Sequence, residues 1–289
     1  MKKAFLQLHF AILLAGFTGI LGRLISLNEG MLVWYRLFFT AIFLWIIRAF
    51  SKEKGHGTIR TLWPLYAVGG IVALHWVFFY GSIKYANVSI GLVCFSSVSF
   101  FTAIFDPLIL RRKLDVRELF LGLLVMVGIY LIFHFDPKHK TGIILGIISS
   151  LLAAIFTICN KILLRKHSPK QITLHQLTGG WLVLSVLMPL YLFLFPVATL
   201  IPGMEDIGWL IVLSLFCTVL AYNLSMNALK SITPFTVNLS YNLEPLYGIL
   251  LAFLIYREDK ELESGFYYGM AVILFTVLLQ SWRVWKKKA

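Results

Sequence analysis

An all-helical, polytopic membrane protein is the fold class this sequence predicts, and three observations predict it. The 289 residues are 59% hydrophobic and 13% charged, with a mean hydropathy of +0.84, whereas globular chains are about half apolar and a quarter charged. The apolar residues run on for roughly twenty positions at a time, the length of a bilayer-crossing helix. The runs do not alternate polar with apolar over about ten residues, as the strands of a membrane barrel do. A barrel is therefore excluded, and the short connections leave no room for a soluble domain.

Taken in order, ten spans are expected. Ala4–Leu24 follows Lys2 and Lys3 in the manner of a signal peptide, but it is long and no small-residue cleavage site with a soluble domain follows, so it reads as an uncleaved first helix. Met31–Phe50 carries Arg36 within it and is followed by Lys52, Lys54 and Arg60. Leu62–Ile83 ends on Lys84, and Val88–Leu110 ends on Arg111, Arg112 and Lys113. Leu119–Phe135 and Gly142–Leu164 flank Lys138 and Lys140, and Arg165, Lys166 and Lys170 precede Ile172–Phe195. Ile207–Leu229 ends on Lys230, Pro234–Tyr256 ends on Arg257, and Gly265–Trp285 leads to Lys286, Lys287 and Lys288. With the amino terminus inside, the inner side takes nineteen of the 26 Lys and Arg, the outer side six, and Arg36 is the remaining one. That bias predicts a multi-pass protein of the plasma (bacterial inner) membrane with both termini cytoplasmic. It also accounts for the net charge of +13 without nucleic acid as a partner.

The chain repeats itself weakly. Phe79-Tyr80-Gly81-Ser82-Ile83-Lys84 recurs in pattern as Ser225-Met226-Asn227-Ala228-Leu229-Lys230, and each is followed by a span, a charged turn and a final span led by Gly122 or Gly269. Two halves of five spans, residues 1–137 and 138–289, must then lie in opposite orientations. Their turns agree: Arg111-Arg112-Lys113 is basic, and Glu258-Asp259-Lys260-Glu261 carries net negative charge. Two inverted five-helix repeats form the architecture of a secondary transporter, with its site near the midplane.

The residues Leu74-His75-Trp76 through Lys84, Leu243-Glu244-Pro245-Leu246 and Tyr256-Arg257-Glu258, in this order and spacing, carry a resemblance. Over essentially its whole length the chain resembles the EamA-type members of the drug/metabolite transporter superfamily. The resemblance implies a central cavity lined by the first, third and fourth spans of each half. It also implies a cargo of amino acids or other small metabolites, often moved outward, with sugar-nucleotides or lipid-linked sugars in related branches. The acid usual after the fourth span is present as Glu258, but Arg111 replaces it in the first half, and a proline is missing near Ser97.

Glu244 is the leading site residue, because a carboxylic acid in a membrane interior is expensive and marks a pathway by default. It is expected to carry a proton or meet a substrate amine; the competing role is a structural acid bonded to Asn242 or Tyr241. Pro245 beside it removes a backbone donor and is expected to free a carbonyl near mid-membrane. Asn238, Asn242, Tyr241 and Ser97 lie in or opposite the same stretch. His9 and His75 sit in spans the resemblance places beside the cavity, against the commoner role of a histidine bonded to a backbone carbonyl. Trp76 and Tyr80 share a helix face at a spacing of four and are wall or packing. Asn160, Tyr222 and Asn223 complete the cavity candidates. Arg36 reads as snorkelling or salt-bridged near the outer surface, and Asp106 as a partner of the Arg111 cluster.

A secondary transporter of a small metabolite, foremost an amino-acid exporter, is the function these features favour, with protons as a candidate coupling ion. There is no phosphate-binding GxxxxGK[ST] loop for ATP-driven transport. Neither metal-binding His spacing nor a Gly-x-Ser-x-Gly elbow is present, which argues against an intramembrane enzyme, and no catalytic residue, metal or cofactor is expected. A flippase for a lipid-linked sugar shares the fold and is the alternative.

Overall fold

The computed structural model describes residues 2–51, 59–134, 139–197, 199–260 and 264–286. Among them all regular structure is helical. The elements are α1 (Lys2–Leu24), α2 (Glu29–Ala49), α3 (Ile59–Tyr85), α4 (Val88–Phe95), α5 (Val98–Leu110), α6 (Val116–His134) and α7 (Lys140–Leu163). They continue with α8 (Pro169–Leu194), α9 (Met204–Ser214), α10 (Ala221–Ser231), α11 (Pro234–Tyr241), α12 (Glu244–Tyr256) and α13 (Ser264–Lys286). Eight helices, counting α4–α5, α9–α10 and α11–α12 as continuous pairs, are long and apolar enough to cross a membrane. The other two expected spans are the apolar helices α6 and α13, which pack against each other. Lys52, Lys54, Phe135, Lys138, Glu261, Lys287, Lys288 and the boundary at 137–138 lie outside the described residues. A helix suits this solvent because it satisfies its own backbone.

Two of the long helices are broken, and broken alike. α4 and α11 each have 8 residues, and α5 and α12 each have 13. By subtraction, the caps Asn87 and Thr233, the second starts Val98 and Glu244, and the ends Arg111 and Arg257 each lie 146 positions apart. At the breaks the amides tighten to the third carbonyl back: Ser96 to Val93 and Ser97 to Cys94, then Asn242 to Leu239 and Leu243 to Ser240. The expectation that Pro245 frees a mid-helix carbonyl needs correcting. Pro245 is in the first turn of α12, where the missing N–H has no intrahelical acceptor anyway. Ser99 stands 146 positions before it, and the first-half break forms without a proline. Each pair ends on a residue in the left-handed region, Arg111 at φ 51 and Arg257 at φ 59. That places Arg112, rather than Arg111, opposite Glu258.

A third irregularity interrupts α9–α10. Residues Leu215–Leu220 widen into a single π-helical turn, a form that concentrates at functional sites.

Close helix packing rests on small residues, as it does where lipid offers no hydrophobic drive between helices. α3 runs against α7 and α8, α1 against α10 and α12, and α5 against α11. At Gly69 a Cβ would come within 2.0 Å of the Gln176 carbonyl oxygen on α8. Gly69→Ala must therefore push α3 off α8. Overpacking of this kind costs about 1–3 kcal/mol, so the variant is expected to melt well below wild type in detergent. An unchanged melting temperature would show that the two helices are not in this contact.

Candidate functional site

Between these helices lies a cavity that receives side chains from α1, α2, α3, α4, α7, α10, α11 and α12 as well as the π turn. Much of its wall is apolar, including Phe79, Phe95, Phe156 and Met226, and a few polar groups converge on it. A mostly apolar concavity with a few placed polar groups is the usual form of a small-molecule site.

Two opposite charges face it. Glu244, the first residue of α12, is 4% exposed. No hydrogen bond or ion pair among the described residues fixes its carboxylate, and Arg36 is the charge that acts on it. Arg36 is 1% exposed. Its guanidinium stacks 3.8 Å from the centroid of the Trp76 ring. Nε donates to Thr218 Oγ1 at 2.8 Å, Nη1 to the Tyr80 hydroxyl at 2.8 Å, and Nη2 more weakly to the Cys217 carbonyl at 3.5 Å. Two of these acceptors, Thr218 and Cys217, lie in the π turn. Three of five guanidinium N–H groups are so occupied, which leaves two for a ligand. Snorkelling does not describe Arg36: it is held inside, on the second span, a span the resemblance did not include in the lining. The sequence signal was an arginine inside an apolar run, directly after Trp34 and Tyr35.

The other candidates sort by what they touch. His75, Trp76, Tyr222, Asn238 and Tyr241 line the cavity with Glu244. His75 Nδ1 lies 2.9 Å from the Ser149 carbonyl oxygen and 2.8 Å from Ser149 Oγ, so this ring nitrogen is already engaged. Asn238 donates to Thr102 Oγ1 at 2.8 Å, and the Tyr241 hydroxyl meets Ser225 Oγ at 2.5 Å. Tyr80 stands behind the wall as a support of Arg36, its fully buried ring against Gly22, where a Cβ would come within 2.2 Å of it.

Besides Tyr80, five candidates do not reach the cavity. His9 is exposed; it precedes the lining residue Thr18 by nine positions, which at about 3.6 per turn is the opposite face of α1. Ser97 and Asn242 belong to the two breaks, where Ser97 Oγ bonds the Cys94 carbonyl and the Asn242 amide reaches Ser99 Oγ at 3.4 Å. Asn223 turns into a second cavity with Leu174 and Val219, because the stripe Tyr222, Ser225, Met226 and Leu229 takes the first one. Asn160 is tied up in a ring that also contains Gln176, which the sequence reading missed. The Tyr222 hydroxyl donates to Gln176 Oε1 at 2.7 Å, Gln176 Nε2 to Asn160 Oδ1 at 2.5 Å, and Asn160 Nδ2 back to the Tyr222 oxygen at 3.2 Å. Asp106 is buried and paired with Arg112, which also meets Glu118 at 3.3 Å.

A helical bundle of membrane-crossing length around a buried, two-sign cavity fits a multi-pass membrane transporter. The model of the EamA-like transporter family matches the chain twice, over residues 2–134 and 140–282. The chain belongs to that family, a member of the drug/metabolite transporter superfamily. It is similar to an uncharacterized transporter of Haemophilus influenzae, at 23% identity over 273 residues, 88% of this chain and 86% of the other. An uncharacterized transporter of Helicobacter pylori is 26% identical over 255 residues, 86% and 83% of the two chains. One from Archaeoglobus fulgidus is 24% identical over 246 residues, 82% of each. A solved crystal structure with 14% sequence identity aligns at a TM-score of 0.71 over 100% of both chains, a likeness of fold.

Proposed function

We propose that this protein is a ten-span secondary transporter that moves a small carboxylate-bearing metabolite, foremost an amino acid, out of the cell. Two inverted halves, 1–137 and 138–289, alternate about the cavity. The observation that carries this reading is the pair of buried opposite charges, Arg36 and Glu244, facing one cavity without an ion pair between them. A carboxylate and a guanidinium buried without a counter-ion are costly to keep charged, and a zwitterion of matching polarity relieves both. Arg36 takes the carboxylate on its two remaining donors, Glu244 takes the amine or, between cargoes, a proton, and the aromatic wall takes the side chain. The shared 146-residue spacing of caps, breaks and left-handed ends supports the paired halves, as does the double match to the family. The distribution of Lys and Arg supports an inner-membrane location with both termini cytoplasmic.

The test is counterflow in proteoliposomes against amino acids, nucleosides and sugars. Saturable exchange of apolar amino acids is expected. Exchange of none of these solutes, with flipping of a lipid-linked sugar, would replace this reading by the flippase.

A further inference from the structure

We infer that Glu258 is the latch that closes one end of the cavity, holding the two halves together by capping a helix of the opposite half. This rests on the alternating-access reading above for what the latch does, although its contacts stand apart from the cargo site. The left-handed turn at Arg257 ends α12 and sends Glu258 back over the first turn of α4. There its fully buried carboxylate accepts the Val88 amide at 3.1 Å, the Ser89 amide at 2.9 Å and Ser89 Oγ at 2.5 Å. Asn87 takes the next amide, Ile90, at 2.8 Å. The first-turn donors of α4 are thus satisfied largely by a residue of the other half, where a helix N-terminus favours negative charge. Arg23, near the end of α1, pairs with the same carboxylate and lies 4.4 Å over the Tyr256 ring, and the Tyr256 hydroxyl donates to the Ile20 carbonyl at 2.9 Å.

The two ends of the bundle differ in a way that gives the latch a direction. At the Glu258 end other carboxylates also join the halves: Asp206 accepts Ser26 N at 2.9 Å and Ser26 Oγ at 2.5 Å, and Glu29 accepts the Tyr191 hydroxyl at 2.9 Å. At the opposite end, among the described residues, no carboxylate caps a helix of the other half. Arg112, the positional counterpart of Glu258, is turned onto Asp106 and Glu118. Lys161 spends its charge on the Leu229 and Ile232 carbonyls at 2.6 and 2.8 Å. Of the two matching positions, 258 and 112, only the first carries the carboxylate cap, and opening at that end requires Glu258 to leave the amides of α4.

Cys217 lines the cavity and reports access to it. With Cys94 and Cys159 changed to Ser, a membrane-impermeant thiol reagent is applied to each face of the membrane in turn. Glu258→Gln is expected to raise Cys217 labelling from the latch face about tenfold or more and to lower it from the other face. Ser89→Ala, which removes one bond and keeps the charge, is expected to give a smaller shift in the same direction, and Arg112→Gln none. The inference is overturned if Glu258→Gln and Ser89→Ala, both eluting as folded protein, leave latch-face labelling unchanged, or if Arg112→Gln shifts it equally. Labelling needs no substrate, so a failed counterflow panel bears on the cargo and a failed labelling shift bears on the latch.

Discussion

Arg36→Gln is expected to raise the half-saturation concentration for a carboxylate-bearing cargo by about tenfold to a hundredfold. Hydrogen bonds to a charged group contribute about 1.5–3 kcal/mol each, and about 1.4 kcal/mol is a factor of ten. Glutamine keeps an amide donor near Thr218 or Tyr80 but cannot offer a fork to a carboxylate. It also removes the positive charge that acts on Glu244. Arg36→Lys is expected to fare little better, because a point charge cannot reach Thr218, Tyr80 and a ligand together or lie flat on Trp76. The informative comparison is the cargo against its carboxyl ester in counterflow. The gap between them should be large in wild type and collapse in Arg36→Gln. Half-saturation unmoved by the substitution would remove Arg36 from the binding site and leave it a support for the contact of α2 with α3 and the π turn.

Glu244→Gln is expected to lose pH-driven net uptake, by about tenfold or more, while substrate-for-substrate exchange continues. The substitution keeps the shape and the hydrogen-bonding capacity of the side chain and removes its ability to ionise, so it separates the proton from the cargo. No described residue holds the Glu244 carboxylate in a hydrogen bond, so the exchange should unpick little of the surrounding structure. A buried carboxylate is free to load a proton when the cavity is empty and to release it when an amine arrives. The measurement is uptake driven by an imposed pH gradient set beside counterflow at uniform pH. Full pH-driven uptake in the variant ends the proton role. Loss of both activities, in protein that still melts like wild type, makes Glu244 the amine anchor alone.

How much of this was legible beforehand depends on the kind of interaction. Helix positions were, because lipid forces continuous apolar runs and the described helices fall on the expected spans to within a few residues. The Phe79–Lys84 and Ser225–Lys230 recurrence was a trace of the same 146-residue spacing that the broken helices display in full. Glu244 was legible as an acid with no reason to be in lipid. Arg36 was misread because a position along a span indicates depth and says nothing of the neighbours. The acceptors that hold it inside come from Tyr80 and from a π turn that no residue type announces. Asn160 and Gln176 were beyond reach for a similar reason. Their amides are polar enough to line a cavity, yet they close on each other and on Tyr222, a pairing between three helices that residue type alone does not specify.

That closed ring has a mechanical consequence. It clamps α7, α8 and α10 to one another at a single point with directional bonds, so these three helices behave as one stiff lever. The ring of Tyr222 is also an edge-on neighbour of Trp76, 6.5 Å between centroids, and Trp76 carries the Arg36 guanidinium on its face. On the proposed reading, a cargo that displaced Trp76 would press on a tyrosine bonded to two other helices, and the force would reach all three. Compliance is left to the 3₁₀-like joints at Ser96–Ser97 and Asn242–Leu243, where the backbone has already surrendered its regular pairing.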